Sequence, residues 1–306
     1  MGMDSMPAPL SPGIYLAHKP VGKSSFDVVR AYKRVALEND QKKWALGHGG
    51  TLDPFANGLL LILSGQATRL MELIHPLPKV YEADVEWGTE TDTGDHLGSV
   101  QFEGDPRGLT EAALNDALKP FRGWTEQIPP TTSAKKIDGE AAYKKARRGE
   151  AVEMKPSRVY LHEAAWVSHS LPFRSRLKIT CRGGYYVRSL ARDLGRALGC
   201  GARLSSLYRA AIGPFRDPGE GGQELVAGAD LIPWCRSRLL NAEEADHLAH
   251  GRAIDMGEIV ASRYSPPTGF PDVAAHVAGI FQSQLVALLV ERGGALHTVA
   301  NLRGGL

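Results

Sequence analysis

The sequence predicts a mixed α+β fold with a small β-rich module at its C-terminal end, and three observations carry that expectation. Segments of alternating polarity such as 80–87 stand beside segments of helical periodicity such as 24–37 and 187–198, without the regular strand–helix repeat of a parallel α/β sheet. A Pro/Gly-rich stretch at 214–222 reads as a connector, and near Arg238 the pattern becomes mostly strand-like. The length, 306 residues, suits one large domain and one small one. The expected division is a flexible leader at 1–13, a main domain at 14–237 with a basic insertion at about 131–155, and a C-terminal domain at 238–306.

Each element has its own signal. Residues 13–17 read as a short strand, and the loop Lys19-Pro20-Val21-Gly22-Lys23 leads to Ser24 and Ser25, which offer N-caps. Val28, Val29, Tyr32, Val35 and Ala36 then recur at helical spacing to about Leu37. A glycine-dense loop at 47–58 runs into Leu59–Leu63, the length of a buried strand. In 80–87, Tyr81, Ala83, Val85 and Trp87 share one face and Glu82, Asp84 and Glu86 the other, as in a half-solvated strand. Thr110 caps a helix to about Leu118. After Pro129-Pro130 the chain is strongly basic, with a short helix expected at 139–148. Strands at 159–169 and 173–182 precede a helix at 187–198 that stops at Gly199, a natural C-cap. Segments 287–291 and 296–300, joined across Gly293-Gly294, read as a β-hairpin.

Composition excludes several classes. With 43% hydrophobic and 23% charged residues this is an ordinary globular chain, and no apolar run reaches the roughly 18 residues of a membrane span. Cys181, Cys200 and Cys235 form no C-x-x-C pair, which argues for a reducing compartment, the cytoplasm, and against a disulfide or zinc framework. Lys23-Ser24 lacks the glycine of a phosphate-binding loop, since position 17 is Ala17. No H-E-x-x-H, nucleophile elbow or dinucleotide fingerprint is present.

Formal net charge is only +2, but its distribution is uneven. Residues 80–118 hold ten acidic side chains against one basic, and 174–209 hold nine basic against one acidic. Two readings fit: a polyanion-binding face, or two segments that neutralise each other across a sheet.

The chemistry-bearing feature is Gly47-His48-Gly49-Gly50-Thr51-Leu52-Asp53-Pro54-Phe55-Ala56-Asn57-Gly58. So many glycines let backbone approach a ligand closely, and the loop presents an imidazole and a carboxylate five residues apart. Alone, Asp53-Pro54 is more often a turn initiator. In context the loop resembles the signature of the TruB family, the tRNA pseudouridine-55 synthases, and further blocks match in order. These are Lys19 to Ser25, Lys79-Val80-Tyr81, Thr91 to Asp95, Pro129-Pro130 with Ser133-Ala134-Lys135, Gly184 to Arg188, and Leu207-Tyr208-Arg209. The likeness is close over about 13–215 and loose beyond. Two positions depart from it: His18 stands where the family usually has Asp or Asn, and Gly49 where it usually has Thr.

The resemblance implies a pseudouridine synthase fold, with a mainly antiparallel central sheet, flanking helices and a PUA-like C-terminal domain. It implies that Asp53 is the catalytic aspartate, Arg188 its arginine partner, and Tyr81 the tyrosine that stacks on the flipped uracil and serves as base. His48, Tyr186, Leu207 and Asp95 fall at substrate-contact positions. Lys135, Lys136, Lys144, Lys145, Arg147 and Arg148 lie on the segment resembling the RNA-gripping thumb. The implied reaction breaks N1–C1′ of a tRNA uridine at position 55 of the T-loop and rejoins the base through C5. It involves no redox change or phosphate transfer, so it calls for no cofactor and no metal. A carboxylate can serve as nucleophile toward C1′ or C6 or as base toward C2′. The target base must first be extruded from its loop. The expected partner is tRNA alone, bound by a monomer without guide RNA, protein partner or membrane. The alternatives are an RNA-binding protein with a degenerate site, against which Asp53, Tyr81 and Arg188 together speak, and a guide-dependent subunit of the Cbf5/dyskerin type.

Overall fold

The computed structural model describes residues 8–306 apart from 134, 138, 143, 144, 146, 147, 149, 151, 152, 274 and 303. The chain forms two compact units, one comprising residues up to Leu52 with Gly58–Leu77 and Ile212–Leu306, the other Asp53–Asn57 with Pro78–Ala211.

In the first unit the strand Gly13–Lys19 pairs antiparallel with Asn57–Ser64 on one side and Gln223–Val226 on the other, and Leu46–His48 adds to the far edge of Asn57–Ser64. The helix Ser25–Glu38 starts as its sequence dictates. The Ser24 hydroxyl accepts from the Asp27 amide while the Asp27 carboxylate accepts from the Ser24 amide, a reciprocal capping box. Val29, Tyr32 and Ala36 on one helix face pack with Tyr15, Ala17, Leu60 and Ile62. Lys19 is fully buried, and its ammonium donates to the carbonyls of Pro20 and Lys23, closing the loop that precedes the helix.

The C-terminal part of this unit is a six-stranded sheet in the order Ile254–Asp255, Ala295–Asn301, Gln284–Arg292, Val277–Phe281, Arg236–Leu239, Ile259–Val260. Its hairpin turns through Gly293 and Gly294 at φ 58° and 79°, the left-handed pair that a two-residue turn needs. The helix Ala242–Ala249, capped by Asn241 and Glu244, sets Leu248 against Val277, Ala287, Leu289 and Leu296.

The second unit is built on the strands Ala202–Ile212, Lys79–Trp87, Arg174–Cys181, Ser157–Ser170 and Gly123–Gln127, in that spatial order. Lys79–Trp87 alternates as expected, and its inner face is matched across the antiparallel ladder, with Tyr81 opposite Ile179, Ala83 opposite Leu177 and Lys79 opposite Cys181. The outer face decides between the two readings of the charge pattern. Arg176 forks onto Asp84 at 2.7 and 2.9 Å, and Glu86 takes both Arg174 and Arg203. On these strands the acidic and basic segments neutralise each other across the sheet. The helix Val187–Ala197 buries Val187, Arg188, Leu190, Ala191 and Leu194, with Gly199 beyond its end at φ 73°.

Two expectations change. The helix expected at 139–148 starts later: Gly139 turns at φ 83°, Glu140–Ala141 pairs back on Lys136–Ile137 as a small hairpin, and Ala142 and Lys145 are helical. Residues 143, 144, 146 and 147 of that segment lie outside the described residues. The eleven-residue strand Ala202–Ile212 was not expected at all. Its buried positions are 202 and 204 but then 207, 209 and 211, so the alternation slips at Ser205-Ser206 and hides the strand. Among the described residues no helix is long and apolar enough to cross a membrane.

Candidate active site

Asp53 opens a tight turn in which its carbonyl accepts from the Ala56 amide, so its side chain leaves the glycine-rich loop at a fixed angle. Both carboxylate oxygens are taken by one guanidinium: Arg188 Nε donates to Oδ2 and Nη2 to Oδ1, each at 2.9 Å. Such a parallel fork sets orientation as well as charge. The remaining three N–H groups of Arg188 are also used. Nη1 donates to the Thr93 carbonyl at 2.7 Å and to the Thr132 hydroxyl at 2.8 Å, and Nη2 to the Thr132 carbonyl at 3.3 Å. Asp95 adds a second negative charge 3.7 Å from Nη1. The guanidinium is 5% exposed and the Asp53 side chain 28%, so the arginine is a buried backing and the carboxylate is the accessible member.

Asp95 itself is locked. Its carboxylate accepts from the Thr93 hydroxyl and the Leu97 amide, and its carbonyl from the Thr91 hydroxyl. Gly94, at φ 74°, passes so close to Arg188 that a Cβ would sit 3.2 Å from the arginine Cβ.

Tyr81 lies on the same unit's sheet, 7% exposed, with the Arg209 guanidinium hydrogen-bonded to its phenol. Burial pushes the phenol up from its ordinary value, and Arg209 pulls partly against that. Lys79 and Cys181 complete a buried cluster with Arg209. Burial, reinforced by the Arg209 charge, lowers the Lys79 ammonium to about 7, and burial raises the Cys181 thiol to about 12. Leu207, 4% exposed, lies two residues before Arg209 on the buried side of its strand. Tyr186 stands at the N-cap position of the Arg188 helix, with its phenol raised by burial.

Of the residues expected at the site, Asp53, Tyr81, Arg188, Asp95, Tyr186 and Leu207 all belong to the second unit, whereas His48 is on the edge strand Leu46–His48 of the first. Of the basic insertion, Lys144 and Arg147 lie outside the described residues, and of Lys136 only the strand position is described. Lys135 donates to the Ser157 hydroxyl and the Lys155 carbonyl. Arg148 is held by Glu140 and Glu150, while Lys145 is half-buried. The two departures have local explanations. His18 Nδ1 sits 2.8 Å from the buried carboxylate of Asp217, and a side chain at Gly49 would press on Leu61 and Ile74.

Thr132, Thr93, Lys79 and Arg209 were missed as participants. Thr93 acts through its carbonyl, which carries no residue-type signal, and Lys79 and Arg209 stand in the matching blocks without an assigned role, although both are buried. Among the described residues no three His, Cys, Asp or Glu side chains cluster as metal ligands.

The chain resembles known proteins in sequence and in fold. A tRNA pseudouridine synthase B of Xanthomonas campestris pv. campestris (strain B100) is 44% identical over 206 residues, 67% of this chain and 65% of that protein. The chain thus spans just under two thirds of the length of that relative. One from Thermobifida fusca (strain YX) is 33% identical over 96% of this chain and its whole length. A chain in the crystal structure of a Cbf5-Nop10-Gar1 complex shares the fold, with a TM-score of 0.62 at 21% identity, covering 95% of this chain and 84% of that one. The family of TruB pseudouridylate synthases (N-terminal domain) matches residues 12–187, the span that contains Asp53 and Tyr81 and ends one residue before Arg188. With more than half its length inside that match and a relative aligned almost end to end, the chain belongs to the TruB family.

Proposed function

We propose that this chain isomerises a uridine of transfer RNA to pseudouridine, at position 55 in the T-loop, with Asp53 as the group that acts on the reacting nucleotide. The observation that carries the reading is the partly exposed Asp53 carboxylate forked onto the buried Arg188, with Tyr81 on the same unit. Family membership supports it, as do relatives named tRNA pseudouridine synthase B.

The reaction is an internal rearrangement: N1–C1′ breaks, C5–C1′ forms, C5 loses its proton and N1 gains one. Asp53 supplies a nucleophile for C1′ or C6, or a base for C2′, and Arg188 holds both its oxygens in one plane. Tyr81 offers a ring face for the extruded uracil and a phenol for the C5 proton. A phenol raised by burial is a strong base once deprotonated, and the Arg209 cation beside it stabilises that form. Asp95, Tyr186 and Leu207 shape the surroundings, and His48 contacts the substrate nucleotide.

The basic insertion would hold phosphates, and residues 238–306, with the strand leading into them, form a PUA-like RNA-binding domain attached to a catalytic domain at 14–237. The protein works as a monomer on tRNA in the cytoplasm, without guide RNA, partner protein or cofactor. Three free, buried cysteines support the reducing compartment.

The test is pseudouridine mapping on unmodified tRNA incubated with the purified protein. Conversion of one T-loop uridine is expected. Conversion confined to another site removes the position assignment, and no conversion removes the activity.

A further inference from the structure

The strand Gly123–Gln127 and the residues after it are stitched to the start of the helix Val187–Ala197 by a run of hydrogen bonds. The Gln127 side chain accepts from the Tyr186 amide at 2.9 Å and donates to the Tyr186 carbonyl at 3.0 Å. The Ile128 carbonyl takes the Ser189 hydroxyl at 2.8 Å and Arg192 Nη2 at 3.0 Å. Thr132 is the one residue of this seam that reaches a group touching Asp53, and it does so twice, through its hydroxyl to Nη1 and its carbonyl to Nη2 of Arg188.

Thr132 also lies at the root of the basic insertion. The insertion's base is closed by Lys135, whose ammonium spans to Ser157 and to the Lys155 carbonyl on the returning chain. Lys135 lies three residues after Thr132 in the chain.

We propose that Thr132 is a positioning residue, which fixes the rotation of the Arg188 guanidinium and so couples the seating of the insertion on RNA to the aim of the Asp53 carboxylate. The fork requires the guanidinium and carboxylate planes to coincide. Asp53 grips Arg188 from one side only, through Nε and Nη2, so the hydrogen bonds at the far Nη1 corner come from Thr93 and Thr132, with the Asp95 carboxylate 3.7 Å away. Thr93 contributes a backbone carbonyl that no substitution removes. The Thr132 hydroxyl is the adjustable member.

The proposal rests on the activity proposed above, and two readouts keep the failures apart. In single-turnover conversion at saturating tRNA, Thr132→Val should be slower by roughly tenfold, the worth of one hydrogen bond to a charged donor, with tRNA affinity within about twofold of wild type. Thr132→Ser, which keeps the hydroxyl, should recover most of the rate. Independently of turnover, NMR of the Arg188 guanidinium protons should show faster solvent exchange in Thr132→Val. A T-arm stem-loop whose target uridine is replaced by cytidine should alter that exchange in wild type and not in Thr132→Val. Unchanged conversion by Thr132→Val, or equal losses in the Val and Ser variants with matching losses of melting temperature, would overturn the positioning role. An identical response to the stem-loop in both proteins would overturn the coupling. A wild-type protein that converts no uridine would sink the activity instead, leaving the exchange measurements to decide on Thr132.

Discussion

Asp53 and Arg188 share one fork but divide its duties: the aspartate faces outward and the arginine has no donor to spare. Asp53→Asn keeps the shape and loses the reactive charge, and it turns an N–H toward an N–H of Arg188. Conversion should fall below about a hundredth of wild type while tRNA binding persists. Single-turnover assays check this, and a rate within tenfold of wild type would remove Asp53 from its role. Tyr81→Phe keeps the ring and loses the phenol, so binding should survive and conversion fall toward the upper end of the roughly 10²–10⁴ range of a general base. Lys79 allows a prediction of sign. Its folded value is about 7 against 10.5 in the free amine, so between those values the unfolded chain binds the extra proton and stability rises with pH. Cys181, raised to about 12, works the other way once its unfolded thiol ionises near 9. The unfolding free energy from chemical denaturation should therefore rise between pH 7 and 9, by at most about 1.4 kcal/mol per pH unit, and Lys79→Met should flatten that rise. An identical slope in the variant would mean the ammonium is solvated.

At the scale of elements, how much the sequence reveals depends on whether pattern and burial agree. The helix Ser25–Glu38 and the strand Lys79–Trp87 were readable because a capping box and strict alternation each have one interpretation. The hairpin at Gly293-Gly294 was readable from its turn residues. Ala202–Ile212 was hidden by its phase slip, and the Glu140–Ala141 hairpin by a lysine- and arginine-rich composition that favours helix as readily as strand. The site divides in the same way. Asp53, Tyr81 and Arg188 carry family-specific neighbours, whereas Thr93 and Thr132 act through groups whose use only the folded chain reveals. The turn at Gly94 offers a local test. Its left-handed φ and its closeness to Arg188 mean that Gly94→Ala adds backbone strain and pushes on the arginine. Chemical denaturation should show a loss of about 1–3 kcal/mol, and conversion should fall further than stability alone explains. A neutral outcome would show that the turn relaxes.

For the whole molecule, the proposed activity requires a grip on RNA phosphates. Many of the cations at 174–209 already have acidic partners, so the basic insertion bears the expectation. Replacing Lys144, Lys145, Arg147 and Arg148 together with Ala should weaken tRNA binding. The slope of log affinity against log salt should become shallower by roughly 0.7–0.9 for each phosphate no longer neutralised. Because Glu140 and Glu150 already occupy Arg148, its own share of that change should be small. Chemistry at saturating RNA should change little, and an unchanged slope would assign these side chains to solvent.

The cross-strand pairing also bears on how quickly such a partner is found. Arg176 and Asp84 at 2.7 Å, and Arg174 and Glu86 at 2.8 Å, present short-range dipoles to the solvent in place of two opposed fields. At physiological ionic strength even an unpaired charge is screened within about 8 Å. With a net formal charge of +2, little remains to draw a polyanion in from a distance. Encounter with the proposed RNA should then proceed near the unsteered rate of roughly 10⁵–10⁶ M⁻¹s⁻¹, and added salt should shorten the lifetime of the complex more than it slows its formation.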